Sequence, residues 1–262
     1  MKYMDPRLEA GKRTARKALG LALALAGLLA IWASAAAIIG KPFLPAPAKA
    51  FTALVRMGSS GLLWTHGWAS AGRVLWALLW SFPPAAALGL AAGRSARLDA
   101  VISPLLYLLH PLPKAAFLPV IMLLMGLGEA SKIFLLGIIV FSQIIVAARD
   151  SSRRIQRELL DSVRSLGGTG LDLAVQVIVP AALPELLTAL RVSLGTTVAV
   201  LFLSETFATQ TGLGWLIVDA WARVSYPEMY AGILALSALG LGLFMAVDQA
   251  ERLLCPWRDY RS

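Results

Sequence analysis

One cysteine, Cys255, and two histidines, His66 and His110, are all that 262 residues contain of the residues most used for redox and metal chemistry. A single thiol forms no intrachain disulfide. No Cys, His or carboxylate grouping has metal-ligand spacing, and no Ser/His/Asp set can be nominated, so no catalytic or metal residues are expected. The G-x-x-x-x-G-K-[ST] phosphate loop is also missing, which excludes ATP hydrolysis by this chain. Charge is scarce as well. Only 15% of residues are charged, against about 25% in soluble domains, while 58% are apolar and the mean hydropathy is +0.72. Lipid is the solvent such a composition suits. A net charge of +9 would fit nucleic acid, but the basic residues cluster beside apolar runs without aromatic interleaving. No nucleic-acid partner is expected.

A bilayer core of about 30 Å takes about 20 apolar residues per helix, which leaves room for five or six spans and no separate soluble domain. The whole chain, 1–262, is read as one all-α membrane domain with a tail at 1–18, a core at 72–247 and a second tail at 248–262. The first run, Leu19 to Ile39, carries a small-x-small site at Ala33-Ser34-Ala35 but is too long for a signal peptide, and reads as a retained span. Residues 40–71 read as an external loop with an amphipathic stretch from Lys49 to Met57. Further spans are expected at Val74–Ala92, with Gly89 and Gly93 as a helix-packing pair, and at Val101–Met125, interrupted by His110-Pro-Leu-Pro-Lys114. The remaining spans are expected at Ile133–Ala148, Pro184–Thr206 and Ala231–Val247, with a second external loop at Ala208–Tyr230.

The basic residues test this topology. Lys2, Arg7, Lys12, Arg13, Arg16 and Lys17 precede the first run, Arg94 and Arg97 follow the second, and Arg149, Arg153, Arg154, Arg157 and Arg164 follow the fourth. Arg252, Arg258 and Arg261 close the chain. These sixteen of the 24 Lys and Arg residues fall on one side, so the positive-inside rule puts both termini in the cytoplasm. Trp32, Trp64, Trp68, Trp215, Trp221 and Tyr230 fit interfacial belts.

The segment 149–184 stands apart. Its first part, Arg149 to Val163, is charged, with Ile155, Leu159, Leu160 and Val163 at helical spacing along one face. Gly167-Gly168-Thr169-Gly170 ends it, Leu171 to Val179 starts another helix, and Pro180 and Pro184 lead into the fifth span. A rigid two-helix bracket at a membrane surface can turn a partner's movement into movement of the attached span. Asp161-Ser162-Val163, three residues, Gly167, nine residues and Val177-Ile178-Val179-Pro180 resemble the EAA loop of bacterial ABC importer permeases. There the pattern is Glu-Ala-Ala, three residues, Gly, nine residues, Ile-x-Leu-Pro. Asp161 stands for the usual Glu, Ser162-Val163 for Ala-Ala, and Leu171 falls where an aromatic often sits, while Gly168 and Gly170 add flexibility. Leu44-Pro-Ala-Pro47, His110 to Pro119, Gly126-Leu-Gly-Glu-Ala-Ser-Lys132, Ser204-Glu205 and Gly212-Leu-Gly214 are similar to the nitrate/sulfonate/taurine subgroup.

The resemblance implies a type I importer fold of six transmembrane helices in the bacterial inner membrane. It also implies a homodimer, two cytoplasmic ATPase subunits that bind ATP and Mg, and a periplasmic or extracellular substrate-binding protein; this chain itself holds no cofactor. It assigns ATPase coupling to Asp161, Ser162, Val163, Gly167, Gly168, Leu171, Val177, Pro180 and Pro184. The chain's own chemistry adds path candidates. A lysine in mid-bilayer costs roughly 2.5–3.5 kcal/mol and faces protein or water, so His110, Pro113 and Lys114 are expected beside the translocation path, where Lys114 would favour an anionic or zwitterionic solute. The alternative is that Lys114 snorkels or pairs structurally while His110 hydrogen-bonds a neighbouring helix. Glu205 gates the path, faces the binding protein or sits at a hydrated helix end. Glu129 and Lys132 read as an external surface feature, and Arg191 as a residue snorkelling to the cytoplasmic interface. An ion-coupled secondary transporter would need coupling-ion sites or inverted repeats, neither of which is evident. A membrane-embedded enzyme lacks a catalytic cluster, and a scaffold gives no reason for the loop spacing.

Overall fold

The computed structural model describes residues 6–109 and 111–257; the expected path residue His110 and the ends of both tails lie outside the described residues. Eleven α-helices run α1 Pro6–Ile39, α2 Pro47–Ser59, α3 Leu62–Arg94, α4 Ala96–Leu109, α5 Leu118–Met125, α6 Glu129–Arg154, α7 Arg157–Ser165, α8 Gly170–Leu173, α9 Val179–Glu205, α10 Leu213–Ala222 and α11 Tyr226–Leu254. A 3₁₀ turn, Lys114–Phe117, leads into α5, and a π turn, Ala174–Ile178, joins α8 to α9. Among the described residues five helices are long and apolar enough to cross a membrane, or six if α4 and Lys114–Met125, inclined at 84° to each other, are counted as one broken span.

The core is the stack of α3, α6 and α9. Leu135, Leu136, Ile139, Val140, Ile144 and Ala148 on α6 are buried with Leu186, Leu187, Leu190, Leu194 and Leu201 on α9. Between lipid-solvated helices apolar burial is a weak drive, so close backbone approach through small residues has to supply the packing. Gly89 and Gly93 on α3 supply it. A Cβ on Gly89 would lie 2.5 Å from both the Ala148 Cβ and the Ile145 carbonyl oxygen, and one on Gly93 2.5 Å from the Arg149 carbonyl oxygen. Gly137 on α6 makes room for the Trp80 indole, whose Cζ2 a Cβ there would meet at 2.0 Å. Trp80 in turn stacks on Phe134 at 5.6 Å.

Several boundaries differ from the sequence reading. Helix α3 begins at Leu62, so residues 62–71, expected in a loop, are helical. His66, Ser70 and Arg73 lower the hydropathy there, yet all three are buried because polar partners meet them inside the protein. The expected external loop at 208–230 contains α10, whose Leu213, Leu216, Ile217 and Ala220 are buried, together with the first turn of α11. Helix α11 continues to Leu254, taking in seven residues read as tail. The helix expected over Arg149–Val163 is two: α6 runs to Arg154, Ile155 and Gln156 turn extended, and α7 follows. The amphipathic stretch is α2, whose buried Ala50, Ala53 and Met57 face the bundle beside α11, where Arg56 reaches Glu228 at 2.6 Å. Helix α1 stays largely apart, with only Trp32, Ala35 and Ala36 of its last nine residues buried or half-buried. Trp32 stacks on Tyr230 and donates to the Pro45 carbonyl at 3.1 Å.

The chain direction defines two ends. Arg94, Arg154, Val179 and Leu254 mark the bracket end; Leu62, Glu129, Glu205 and Tyr226 mark the far end. At the bracket end Arg94 donates to the Ser152 carbonyl at 2.7 Å and Ser152 to the Leu90 carbonyl at 3.0 Å. Arg149 pairs with Asp99 of α4 at 2.5 Å, and Arg153 pairs with the same carboxylate. Arg191, expected to snorkel, instead bridges Asp248 and Glu251 of α11 and lies 5.3 Å from the Phe244 ring centre.

Overpacking a well-filled contact costs about 1–3 kcal/mol. Gly89→Val should therefore lower the thermal midpoint of the detergent-purified protein by several degrees. Gly242→Val, at a site with nothing within 4 Å, should leave it within a degree; equal midpoints for the two variants would refute the close-packed α3–α6 seam.

Candidate functional site

The bracket is built from strong local signals. Helix α7 ends in a reversal in which Gly167, at φ +83, donates to the Arg164 carbonyl at 3.0 Å and Gly168 to the Val163 carbonyl at 3.0 Å. Glycine fits that left-handed position without strain. A Cβ on Gly168 would sit 2.5 Å from Val163 Cγ1, so the chain returns closely over its own helix. Thr169 then caps α8: its hydroxyl accepts from the Asp172 amide at 3.3 Å, and the Asp172 carboxylate accepts from the Thr169 amide at 2.8 Å. This capping box satisfies donors that a helix start leaves open. Pro180 occupies the first turn of α9, where a missing N–H costs nothing, while Pro184 lies inside the helix.

The nine coupling candidates gather along this one element. Asp161, Ser162 and Val163 lie on α7, Gly167 and Gly168 form the reversal, Leu171 is on α8, Val177 is in the π turn, and Pro180 and Pro184 are on α9. Asp161 and Ser162 are exposed, and Asp161 meets Arg164 at 3.1 Å. The apolar residues are more telling. Leu166 at the tip is 88% exposed and Leu171 is 74% exposed, and Leu159 and Val175 are also exposed. Leu166 and Val175 were not singled out by the sequence, though a leucine beside a Gly-Gly reversal is a usable signal. Bare large side chains grouped on an otherwise charged element are the kind of surface that binds other proteins.

The described path candidates fall in two places. Lys114 lies at the break in the third span, where its Nζ donates to the Leu109 carbonyl at 3.1 Å, an acceptor at the end of α4. With Leu106, Leu109, Phe117, Leu135 and Phe141 it lines a cavity of about 340 Å³. Pro113 precedes it at the start of the 3₁₀ turn.

Glu205 belongs to a different cluster at the far end. It is fully buried, so it is not a hydrated helix end. Its Oε1 accepts from Arg73 Nη1 at 2.5 Å and Ser70 Oγ at 2.7 Å, and its Oε2 from the Gly214 amide at 2.7 Å. Arg73, also buried, forks onto Glu129 at 2.5 and 2.6 Å and donates to the Thr211 carbonyl and hydroxyl at 3.0 and 2.9 Å. Ser70 Oγ accepts from the Leu213 amide at 2.8 Å, and His66 Nδ1 from the Gly212 amide at 3.1 Å. His66 stacks on Trp215 at 5.2 Å, so that tryptophan packs inward instead of joining an interfacial belt. Lys132 is buried, contrary to its expected surface role, and its ammonium reaches the Leu127 and Gly128 carbonyls at 3.4 and 3.5 Å. Glu129 keeps 56% of its side chain exposed. Arg73 was missed by the sequence reading because it falls in what looked like the edge of a loop. Among the described residues no group of three or more His, Cys, Asp or Glu is placed to hold a metal.

Residues 85–259 match the binding-protein-dependent transport system inner membrane component family. The taurine transport system permease protein of Escherichia coli (strain K12) is 31% identical over 240 residues, 89% of this chain and 87% of that protein. The riboflavin transport system permease protein of Chloroflexus aurantiacus is 30% identical over 256 residues, 97% and 96% of the two chains. A putative aliphatic sulfonates transport permease of E. coli (strain K12) is 28% identical, covering 88% and 89%. With its apolar spanning helices and a match across two thirds of its length, the chain belongs to the binding-protein-dependent transport system inner membrane component family, as a multi-pass inner-membrane permease of the ABC transporter class.

Proposed function

We propose that this permease works as a homodimer with two copies of a separate ATPase subunit, and that the bracket from Arg149 to Pro184 is where the ATPase docks. In this reading the bracket end is cytoplasmic and the far end receives a substrate-binding protein. The exposed leucines on a rigid, internally capped element carry the reading: Leu166 and Leu171 offer apolar anchors for a groove, and Asp161, Arg164 and Ser162 supply a polar rim around them. ATP and Mg are held by that partner, whose closure pushes the bracket and switches access to the central path. The whole chain acts as one permease domain.

The solute is small and anionic or zwitterionic, of the sulfonate or taurine kind. Two relatives named for taurine and aliphatic sulfonates support this class, as does Lys114, whose ammonium borders a cavity at the break of the third span. The riboflavin relative shows that the scaffold suits other cargo, so the choice between these solutes is made chiefly by the binding protein.

Gly167→Val forces a β-branched residue into a left-handed turn, and Leu166→Glu puts a charge at the apolar tip. Each should leave the permease in the membrane but reduce co-purified ATPase at least tenfold; full retention of the ATPase by both variants would overturn the docking role. Lys114→Met should lower uptake of a sulfonate solute about fivefold or more at unchanged ATPase binding. Unchanged uptake would remove Lys114 from the path.

A further inference from the structure

Arg73 and residues from three stretches singled out in the sequence, Gly126–Lys132, Ser204-Glu205 and Gly212–Gly214, come together at the far end around one guanidinium. Helix α9 links that place to the bracket. The helical chain from Gly170 to Glu205 is 36 residues, about 50 Å at 1.5 Å per residue. At one end it carries the capped turn at Thr169, and at the other the carboxylate of Glu205.

We infer that the Arg73–Glu205 cage is the output end of this lever: it fastens the far-end segment from Thr209 to Ala222 to α3 and α9, so that force entering at the bracket moves the outer element α10 with them. Arg73, Ser70 and Glu205 are positioning residues in this scheme, and none of them touches solute. The inference rests on the bracket being the ATPase contact.

The bonding pattern carries the argument. Every contact of the Glu205 carboxylate runs to another element: Oε1 to Ser70 and Arg73 on α3, and Oε2 to Ser70 and to the Gly214 amide at the start of α10. Ser70 closes the loop by accepting from the Leu213 amide. Gly212 and Gly214 are needed for this fit. A Cβ on Gly212 would lie 2.4 Å from Glu205 Cδ and 2.5 Å from Arg73 Nη1, and one on Gly214 2.8 Å from Glu205 Cβ. Removing one partner of a buried ion pair strands the other charge, at a cost far above that of an exposed pair. The Arg73–Glu205 contact is therefore the one that does not open during a cycle. Glu129, partly exposed, gives Arg73 its second carboxylate and secures the start of α6 by a contact that water can share. By comparison α5 has no such tie among the described residues, and its Leu123 and Leu124 are exposed.

The test uses the complete transporter, with ATPase and binding protein, in vesicles of bacterial lipid. Solute accumulated per ATP hydrolysed is measured alongside the amount of assembled complex. Glu205→Gln and Arg73→Met should hydrolyse ATP within twofold of the native complex while the ratio of solute to ATP falls tenfold or more, and Arg73→Lys should fall between. Ser70→Ala keeps every charge and removes the hydroxyl's bonds to Glu205 and to the Leu213 amide, so it assembles even where the charge variants do not; its ratio should fall two- to fivefold. The inference is overturned if the ratio stays native in Ser70→Ala, or if hydrolysis and uptake decline together in proportion to the folded complex. Absence of ATP-dependent uptake by the native complex would instead count against the permease reading itself.

Discussion

A guanidinium buried among helices that lipid surrounds has to be neutralised within the protein, and the way Arg73 is neutralised organises the far end of this chain. Its donors reach Glu129 on α6, Glu205 on α9 and Thr211 in the segment before α10, so one charge joins four parts of the fold. Taking that charge out of water costs several kcal/mol before pairing. Two carboxylates and the threonine oxygens offset the cost only when α3, α6 and α9 end at matching heights. The requirement fixes the register of the bundle at this end as the glycine seam between α3 and α6 fixes the distance along its length.

The bracket end is held differently. Arg149 and Arg153 share Asp99, Arg191 bridges Asp248 and Glu251, and Arg154 meets Glu185 at 3.6 Å with both side chains well exposed. Water and salt weaken the exposed contacts. One end is thus tied through a fully buried Arg73–Glu205 pair and the other by partly buried and exposed pairs around an element with bare leucines. A membrane subunit worked from one side by a soluble motor needs that asymmetry: compliance where the partner grips, stiffness where the movement is delivered.

Much of this was legible in the sequence. Apolar runs gave the spans, since lipid demands about 20 apolar residues of any helix that crosses it. The bracket was legible because its signals are local: one apolar face on a charged helix, a Gly-Gly-Thr-Gly stop that begins at Gly167 and prolines at 180 and 184 before the next span. The cage was not, because Arg73, Glu129, Glu205 and Gly214 are brought together only by the tertiary fold. Polar residues destined for mutual burial lower local hydropathy, which made the start of α3 resemble a loop. Helix α10 was missed for a related reason: ten residues after Gly212 are too short for a span and carry no side-chain cap. The hint that was present lay in Gly126–Lys132, Ser204-Glu205 and Gly212–Gly214, family-like stretches with charges or glycines at the ends of apolar runs.

The central claim is that α3, α9 and α10 travel as one body when the ATPase closes. Paired spin labels report it directly in the assembled transporter, with and without ATP, one pair at positions 63 and 221 and another at 123 and 221. The account predicts that the 63–221 distance, from α3 to α10, is the same in both states, while the 123–221 distance, from α5 to α10, shifts. A change in the 63–221 distance on ATP binding, with α10 swinging free of α3, would contradict it.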